Sequence, residues 1–456
     1  MIEVKRVQLS PGLWETSLFR TDLDGRFAVF KSISKHLDET RSDFEPVPAE
    51  TNIQRAGTDC RQVSNCLATD IKGMSIDPMN PNGHFEEGLE MFAEAINAAS
   101  TTVNTTRNKL AMKNILKMSL TFAVILIGLV VAALVYLIYP GTPSKSKVMT
   151  FEGFIELPRS GPLTVLDYLT LNDQTLFVTS ESSGALFKIV LESSDLRAST
   201  VSEMPGAGAA HGVALLPGVN VAFITRSQAN TVDVFDPKSL QQLASIPVAD
   251  DADAILYIPS ANLVYVAHGD ANMATLIDPE KRATVGTVQL PGKPEFPAMD
   301  SQSGLLFQNL EDTNEVAAID IGKRSVVGQW PLAPCEGPSG MAIDSEQRRL
   351  FAVCSGNAKL VVFDLESHRV IASLRICAGP DSVAIDPGVH LIYAAGKAGE
   401  MTVIQQDGPD NYRVSDEIHT HYGAHTLTVD PVSHKVFVAY ASLLAHPRIA
   451  VFSPTW

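Results

Sequence analysis

The sequence predicts an all-β chain: a seven-bladed β-propeller, preceded by one transmembrane helix and a poorly structured N-terminal region. Three observations predict it. Short apolar strands recur around an aromatic residue throughout 148–456. One uncharged stretch, Met118–Tyr139, is long enough to span a bilayer as a helix. The residues before that stretch show no sustained hydrophobic period.

The repeat decides the fold. Its aromatic anchors are Phe177, Phe223, Tyr265, Phe307, Phe351, Tyr393 and Phe437, at spacings of 46, 42, 42, 44, 42 and 44 residues. Thirteen residues after four of them stands an aspartate that closes a strand: Asp236, Asp278, Asp320 and Asp364. A turn and a further strand follow, and a Gly/Pro-rich link leads to the next inner strand. Four strands at a period near 42 mark propeller blades. One blade cannot bury both of its faces, so blades stack into a ring. Seven anchors imply seven blades. The last blade lacks a fourth strand before Trp456, and Thr150–Pro158 resembles the missing one. The N-terminal piece is therefore expected to close the ring and remove the open sheet edges.

Met118–Tyr139 carries no charged side chain, ends with Tyr136 and Tyr139, and runs into Pro140. Interfacial tyrosines and a helix-stopping proline suit a membrane span. Arg107, Lys109, Lys113 and Lys117 precede it, while Lys145 and Lys147 follow. That bias places the N-terminus in the cytoplasm and the propeller outside. The apolar run is long for a cleaved signal, and no A-x-A-like site follows it. The expected organisation is an N-terminal region over 1–111, a signal anchor over 112–140, a linker over 141–147 and the propeller over 148–456. Within the first, Phe85–Ala99 has the spacing of an amphipathic helix. A translation start at Met112 is the alternative that removes 1–111.

Charge is uneven. Residues 1–147 hold 16 basic and 16 acidic side chains, and residues 148–456 hold 19 and 35. The acidic propeller repels nucleic acid, so no nucleic-acid partner is expected. Five cysteines with no C-x-x-C exclude a disulfide framework, and Cys354, inside a strand pattern, reads as a small buried hydrophobe. Arg226 and His268 are placed at turns after second strands, and His419 and His421 on a loop before His425.

The blades resemble the YVTN-repeat, YncE-like β-propellers. The matching features are Asp-Pro after an inner strand (VAIDP at 383–387, TVDP at 428–431), the aromatic-aliphatic second strand and the VFD/LID close. LPGKPEF at 290–296 and the stretch over 401–431 add to the likeness, which covers about 150–454. The Tyr-Val-Thr-Asn signature itself is replaced; Phe177-Val178-Thr179 comes near it, and Asn309 is the one Asn in register. The resemblance implies a periplasmic or cell-surface propeller and little chemistry.

The repeat also nominates a site. Twelve residues before each anchor stand Val165, His211, Asp253, Glu295, Ser339, Asp381 and His425. Equivalent inner-strand starts converge on the channel at one face of a propeller. His211, Asp253, Glu295, Ser339, Asp381 and His425 are thus the candidate ligand-binding set. His211, Asp253, Glu295, Asp381 and His425 are the candidate ligands of a divalent metal. A wet channel mouth is the plainer explanation of the same residues. No G-x-S-x-G, H-E-x-x-H or phosphate loop occurs. The expected function is a ligand- or protein-binding module tethered outside the cytoplasmic membrane through Met118–Tyr139. The alternative is a lactonase or hydrolase that uses a ring-bound metal, with Glu295, Asp381, His211 and His425 as its working residues.

Overall fold

The computed structural model describes residues 6–10, 13–16, 121–122, 124–133, 141–159, 164–192, 195–206, 208–440 and 446–455. It forms two compact units, Met1–Thr121 and Phe122–Trp456. In the first, Arg6–Ser10 and Leu13–Thr16 pair antiparallel, a hairpin that the sequence reading does not contain. The helix expected at 85–99 lies outside the described residues.

In the second unit, residues 122 and 124–133 are helical. Phe122, Val124, Ile125, Leu126, Ile127, Leu129, Val130 and Val131 are each more than half exposed. Among the described residues no helix is long and apolar enough to cross a membrane. The rest of Met118–Tyr139 lies outside them.

Seven four-stranded antiparallel sheets follow. Blade one is Leu166–Asn172, Thr175–Ser180, Leu186–Val190 and Thr200–Met204. Blades two to six repeat the pattern, with inner strands Ala210–Leu215, Ala252–Ile258, Pro294–Met299, Pro338–Asp344 and Pro380–Asp386. Blade seven takes Leu427–Val429, Val436–Tyr440 and Arg448–Pro454 from the C-terminal end of the chain. Its fourth strand is Met149–Glu156, which pairs with Arg448–Pro454 from Met149↔Pro454 to Glu156↔Arg448. The expected closure is present. Each inner strand packs on the next, and that of blade seven on blade one.

The aromatic anchors fill the spaces between blades. All seven are at most 2% exposed, and each such burial contributes about 1.5–3 kcal/mol relative to exposure. Phe177, for example, packs with Ala210, Val213 and Ile224 of the next blade. The recurrent aspartates shape turns. Asp236 Oδ1 accepts from the backbone N–H groups of Lys238 and Ser239 at 2.8 and 2.9 Å. Asp278, Asp320 and Asp364 accept in the same way. Residues with positive φ then complete these turns: Leu240, Arg282, Arg324 and His368.

Two sequence readings need correction. Cys354 is joined to Cys335 by a disulfide, with Cα atoms 5.3 Å apart. The link before blade five's inner strand runs beside the end of its second strand, where Pro338 pairs with Cys354. Arg226 and His268 are not turn residues. Each ends a second strand and is buried. Arg226 Nε donates to Asp233 at 3.1 Å and its Nη1 to Gly184 O. The second ring nitrogen of His268 lies 2.8 Å from Thr275 Oγ1, and burial pulls its pKa down to about 4.

Candidate functional site

Each inner strand begins irregularly. The pairing register slips just after its first residue in blades one to six: Leu166/Leu169, Ala210/Val213, Ala252/Ile255, Pro294/Pro297, Pro338/Met341 and Pro380/Ser382. Such a bulge leaves a residue outside the ladder and re-aims its side chain. His211, Asp253, Glu295, Ser339 and Asp381 sit in these bulges. Neighbouring blades satisfy the backbone there. Thr225 Oγ1 donates to Asp253 O at 2.7 Å, and Asn309 Nδ2 donates to Ser339 O at 2.8 Å. A glycine follows the ring residue where backbones crowd: a Cβ on Gly340 would stand 2.5 Å from Asp381 O.

All six candidate residues line one cavity of about 490 Å³. Val165 also reaches it, but the true ring member of blade one is Asp167. The reason is a shorter hairpin. Phe177 pairs with Thr170, seven residues back. The other anchors pair nine back, as Phe223 does with Ala214 and Tyr265 with Leu256. A fixed count of twelve therefore overshoots in blade one by two. The ring reads Asp167, His211, Asp253, Glu295, Ser339, Asp381, His425: four carboxylates, two imidazoles and a hydroxyl.

A second tier comes from the residue after the second strand in blades one and six. Glu181 and Lys397 line the cavity from there. Both stand four residues after an anchor, a count that sequence reasoning could have made. His421 is on the wall and buried. His419 is not; it ends the outer strand Asn411–His419 and faces Glu400 at 3.2 Å. Deeper in, Tyr168 of blade one stacks on Phe296 of blade four, centroids 5.4 Å apart and planes within 15°. These blades are not neighbours, so the stack crosses the channel and gives the cavity an aromatic floor.

The ring divides into local partnerships. His211 Nδ1 lies 2.5 Å from Asp167 Oδ2 and 3.5 Å from Asp253 Oδ1, and its Nε2 lies 2.9 Å from Ser227 Oγ. On the far side, Asp381 Oδ2 faces His425 Nε2 at 3.6 Å and Lys397 Nζ at 3.5 Å. Glu295 faces Lys293 Nζ at 3.4 Å. Ser339 Oγ donates to Pro380 O at 3.1 Å. The five proposed metal ligands thus do not form one sphere. The compact donor set is Asp167, His211 and Asp253, whose ligand atoms lie within 4.8 Å of one another.

Burial and charge crowding shift the pKa of these groups. Burial lowers the His211 imidazole, but the hydrogen bond to Asp167 and the charges of Asp253, Asp167 and Glu181 outweigh it and raise the pKa to about 9. Burial lifts the Asp253 carboxyl well above its ordinary value; His211 opposes this, and Asp167, Asp251 and Asp381 add to it. Glu295 is raised by burial, Asp253 and Glu311 against the pull of Lys293. Burial lowers Lys397, yet Asp381 holds its pKa above the usual range.

No family model matches the chain, and no curated protein matches it. Solved structures do share the fold. One described as Kuenenia stuttgartiensis hydrazine synthase superposes with a TM-score of 0.54 at 16% identity, over 62% of this chain and 94% of that one. The RRP9 WD40 repeats superpose with a TM-score of 0.56 at 12% identity, over 70% of this chain and all of theirs. At such identity the likeness is one of fold: the chain is similar to these proteins in being built around a β-propeller.

Proposed function

We propose that this chain is a membrane-anchored, extracytoplasmic propeller of the YVTN-repeat type whose channel mouth binds a small molecule. The observation that carries the reading is the cavity. Seven inner strands bring a polar, mostly acidic ring to one place, above an aromatic floor formed by Tyr168 and Phe296. Its volume falls in the range of about 300–1,000 Å³ usual for small-molecule sites, and it joins apolar surface to a few convergent polar groups. The ring favours a cationic or hydrogen-bond-donating head, and the floor favours an apolar or flat body.

The anchor reading rests on the uncharged run Met118–Tyr139 and on the exposed apolar side chains within it. An oxidising, extracytoplasmic compartment suits the Cys335–Cys354 disulfide. Alkaline extraction of membranes should leave the full-length chain in the pellet, and external protease should reach the propeller. Release into the supernatant contradicts the anchor.

A melting-temperature screen of the full-length chain against small molecules tests the site. Compounds with a cationic head and an aromatic body should raise the melting temperature. The rise should disappear in Tyr168→Ala. A rise that persists in that variant places the binding elsewhere.

A further inference from the structure

We propose that Asp167, His211 and Asp253 form a three-ligand site for one divalent transition-metal ion, with an open coordination position facing the cavity. The three residues occupy equivalent bulges on the inner strands of three consecutive blades. Their donor atoms lie within 4.8 Å of one another. Donors bound tetrahedrally at about 2.1 Å stand roughly 3.3–3.5 Å apart. His211 Nδ1 stands at that spacing from Asp253 Oδ1, 3.5 Å away, whereas its 2.5 Å contact with Asp167 Oδ2 is a hydrogen bond whose proton the ion would replace, the two donors moving apart by about 1 Å.

Two further observations point to a cation. Asp253 Oδ1 is shut off from solvent and, with the His211 ring 3.5 Å away, accepts no hydrogen bond; an ion that takes the place of the Nδ1 proton would give this oxygen a positive partner at bonding distance. His211 Nε2 lies 2.9 Å from Ser227 Oγ, an outer-shell contact of the kind that orients a metal-binding histidine, so the ring would stay in place as Nδ1 exchanges its proton for the ion. The other ring members are engaged elsewhere: Asp381 with Lys397 and His425, Glu295 with Lys293. One imidazole and two carboxylates suit Zn²⁺ or Mn²⁺ better than Ca²⁺, which takes oxygen ligands alone. Three protein ligands leave a position for an oxygen or nitrogen donor on the bound molecule.

The same atoms have the connectivity of an acyl-transfer relay, carboxylate to imidazole to serine hydroxyl. Ser227, however, is not among the residues that line the cavity. The metal reading deepens the small-molecule reading and shares its cavity, so the test separates the two.

Full-length chain, stripped with chelator, is titrated with Zn²⁺ by calorimetry and with Co²⁺ by visible absorption, and each variant's melting temperature is recorded as a check of folding. One ion per chain is expected, with Co²⁺ bands of a four- or five-coordinate site. Ser227→Ala should weaken Zn²⁺ by about 10–100-fold, the cost of an outer-shell change, and Asp167→Asn and Asp253→Asn by more. Asp381→Asn and Glu295→Gln should bind as the parent does. No bound ion, or an equal loss in Asp381→Asn, overturns the proposal. Labelling of Ser227 by a fluorophosphonate, lost in His211→Ala, overturns it in favour of the relay. A metal-free chain still stabilised by a small molecule, in a manner lost in Tyr168→Ala, overturns the metal site and leaves the cavity reading standing.

Discussion

Asn309 shows how one side chain serves the ring without touching a ligand. It is fully buried, and its amide reaches across to the Ser339 carbonyl of the next blade. Asn309→Ala leaves that bulged carbonyl unpaired, at a cost of about 1–3 kcal/mol. Denaturant unfolding should show the lowered midpoint; an unchanged midpoint contradicts the clamp. Asp300 ties blades four and five through Arg348 at 2.5 Å. Burial raises its carboxyl, but Arg348, Ser303 and Ser345 outweigh that and hold it at about 2. A carboxylate with a depressed folded pKa gives stability that is present above its unfolded value near 3.8 and is lost as pH falls toward 2. Melting temperature should therefore drop over that window in the parent and less steeply in Arg348→Met. Six of the seven ring residues could be counted from the anchors because the hairpin length is constant there. Asp167 could not, since the two missing residues of blade one leave no mark in the anchor spacing.

At the scale of strands, the period carried nearly everything. Aromatic anchors and turn aspartates recur because every blade solves the same packing problem, so blade number, strand order and closure were legible. The disulfide was not: bonding Cys335 to Cys354 depends on the link and the second strand running side by side, which spacing alone does not state. It closes a loop of 19 residues, and a Cys335→Ser/Cys354→Ser variant should lose about 3 kcal/mol by loop entropy. A melting temperature that ignores both reductant and this variant contradicts that. The closing strand matters more. Met149–Glu156 supplies the outer edge of blade seven, and Phe151 and Phe154 pack against its core. Deleting 148–156 should lower the melting temperature of the whole propeller, since the ring then opens at one blade. A deletion that melts like the parent refutes closure.

At the scale of the molecule, the propeller gathers charge that no single blade could hold. Asp167, Asp253, Glu295 and Asp381 come from four blades spread along the sequence and meet at one cavity. Their mutual repulsion is a cost the fold carries, consistent with a site kept for binding rather than stability. Glu295 tests this most directly. Burial, then Asp253, Glu311 and Asp381, raise its carboxyl above the ordinary 4.5. A carboxyl raised in the folded state costs stability as pH climbs through that raised value, because the folded chain resists losing the proton. Lys293 keeps Glu311 at 2.5 Å when Glu295 is replaced, so the substitution strands no charge. The decisive measurement is the melting temperature of Glu295→Gln against the parent, at about pH 5 and about pH 8, without added ligand. If the carboxylates share one cavity, the variant matches the parent at the lower pH and melts higher at the upper one. If Glu295→Gln melts with or below the parent at the upper pH, Glu295 is neither buried in the cavity nor repelled by its carboxylates, which contradicts its place in the ring.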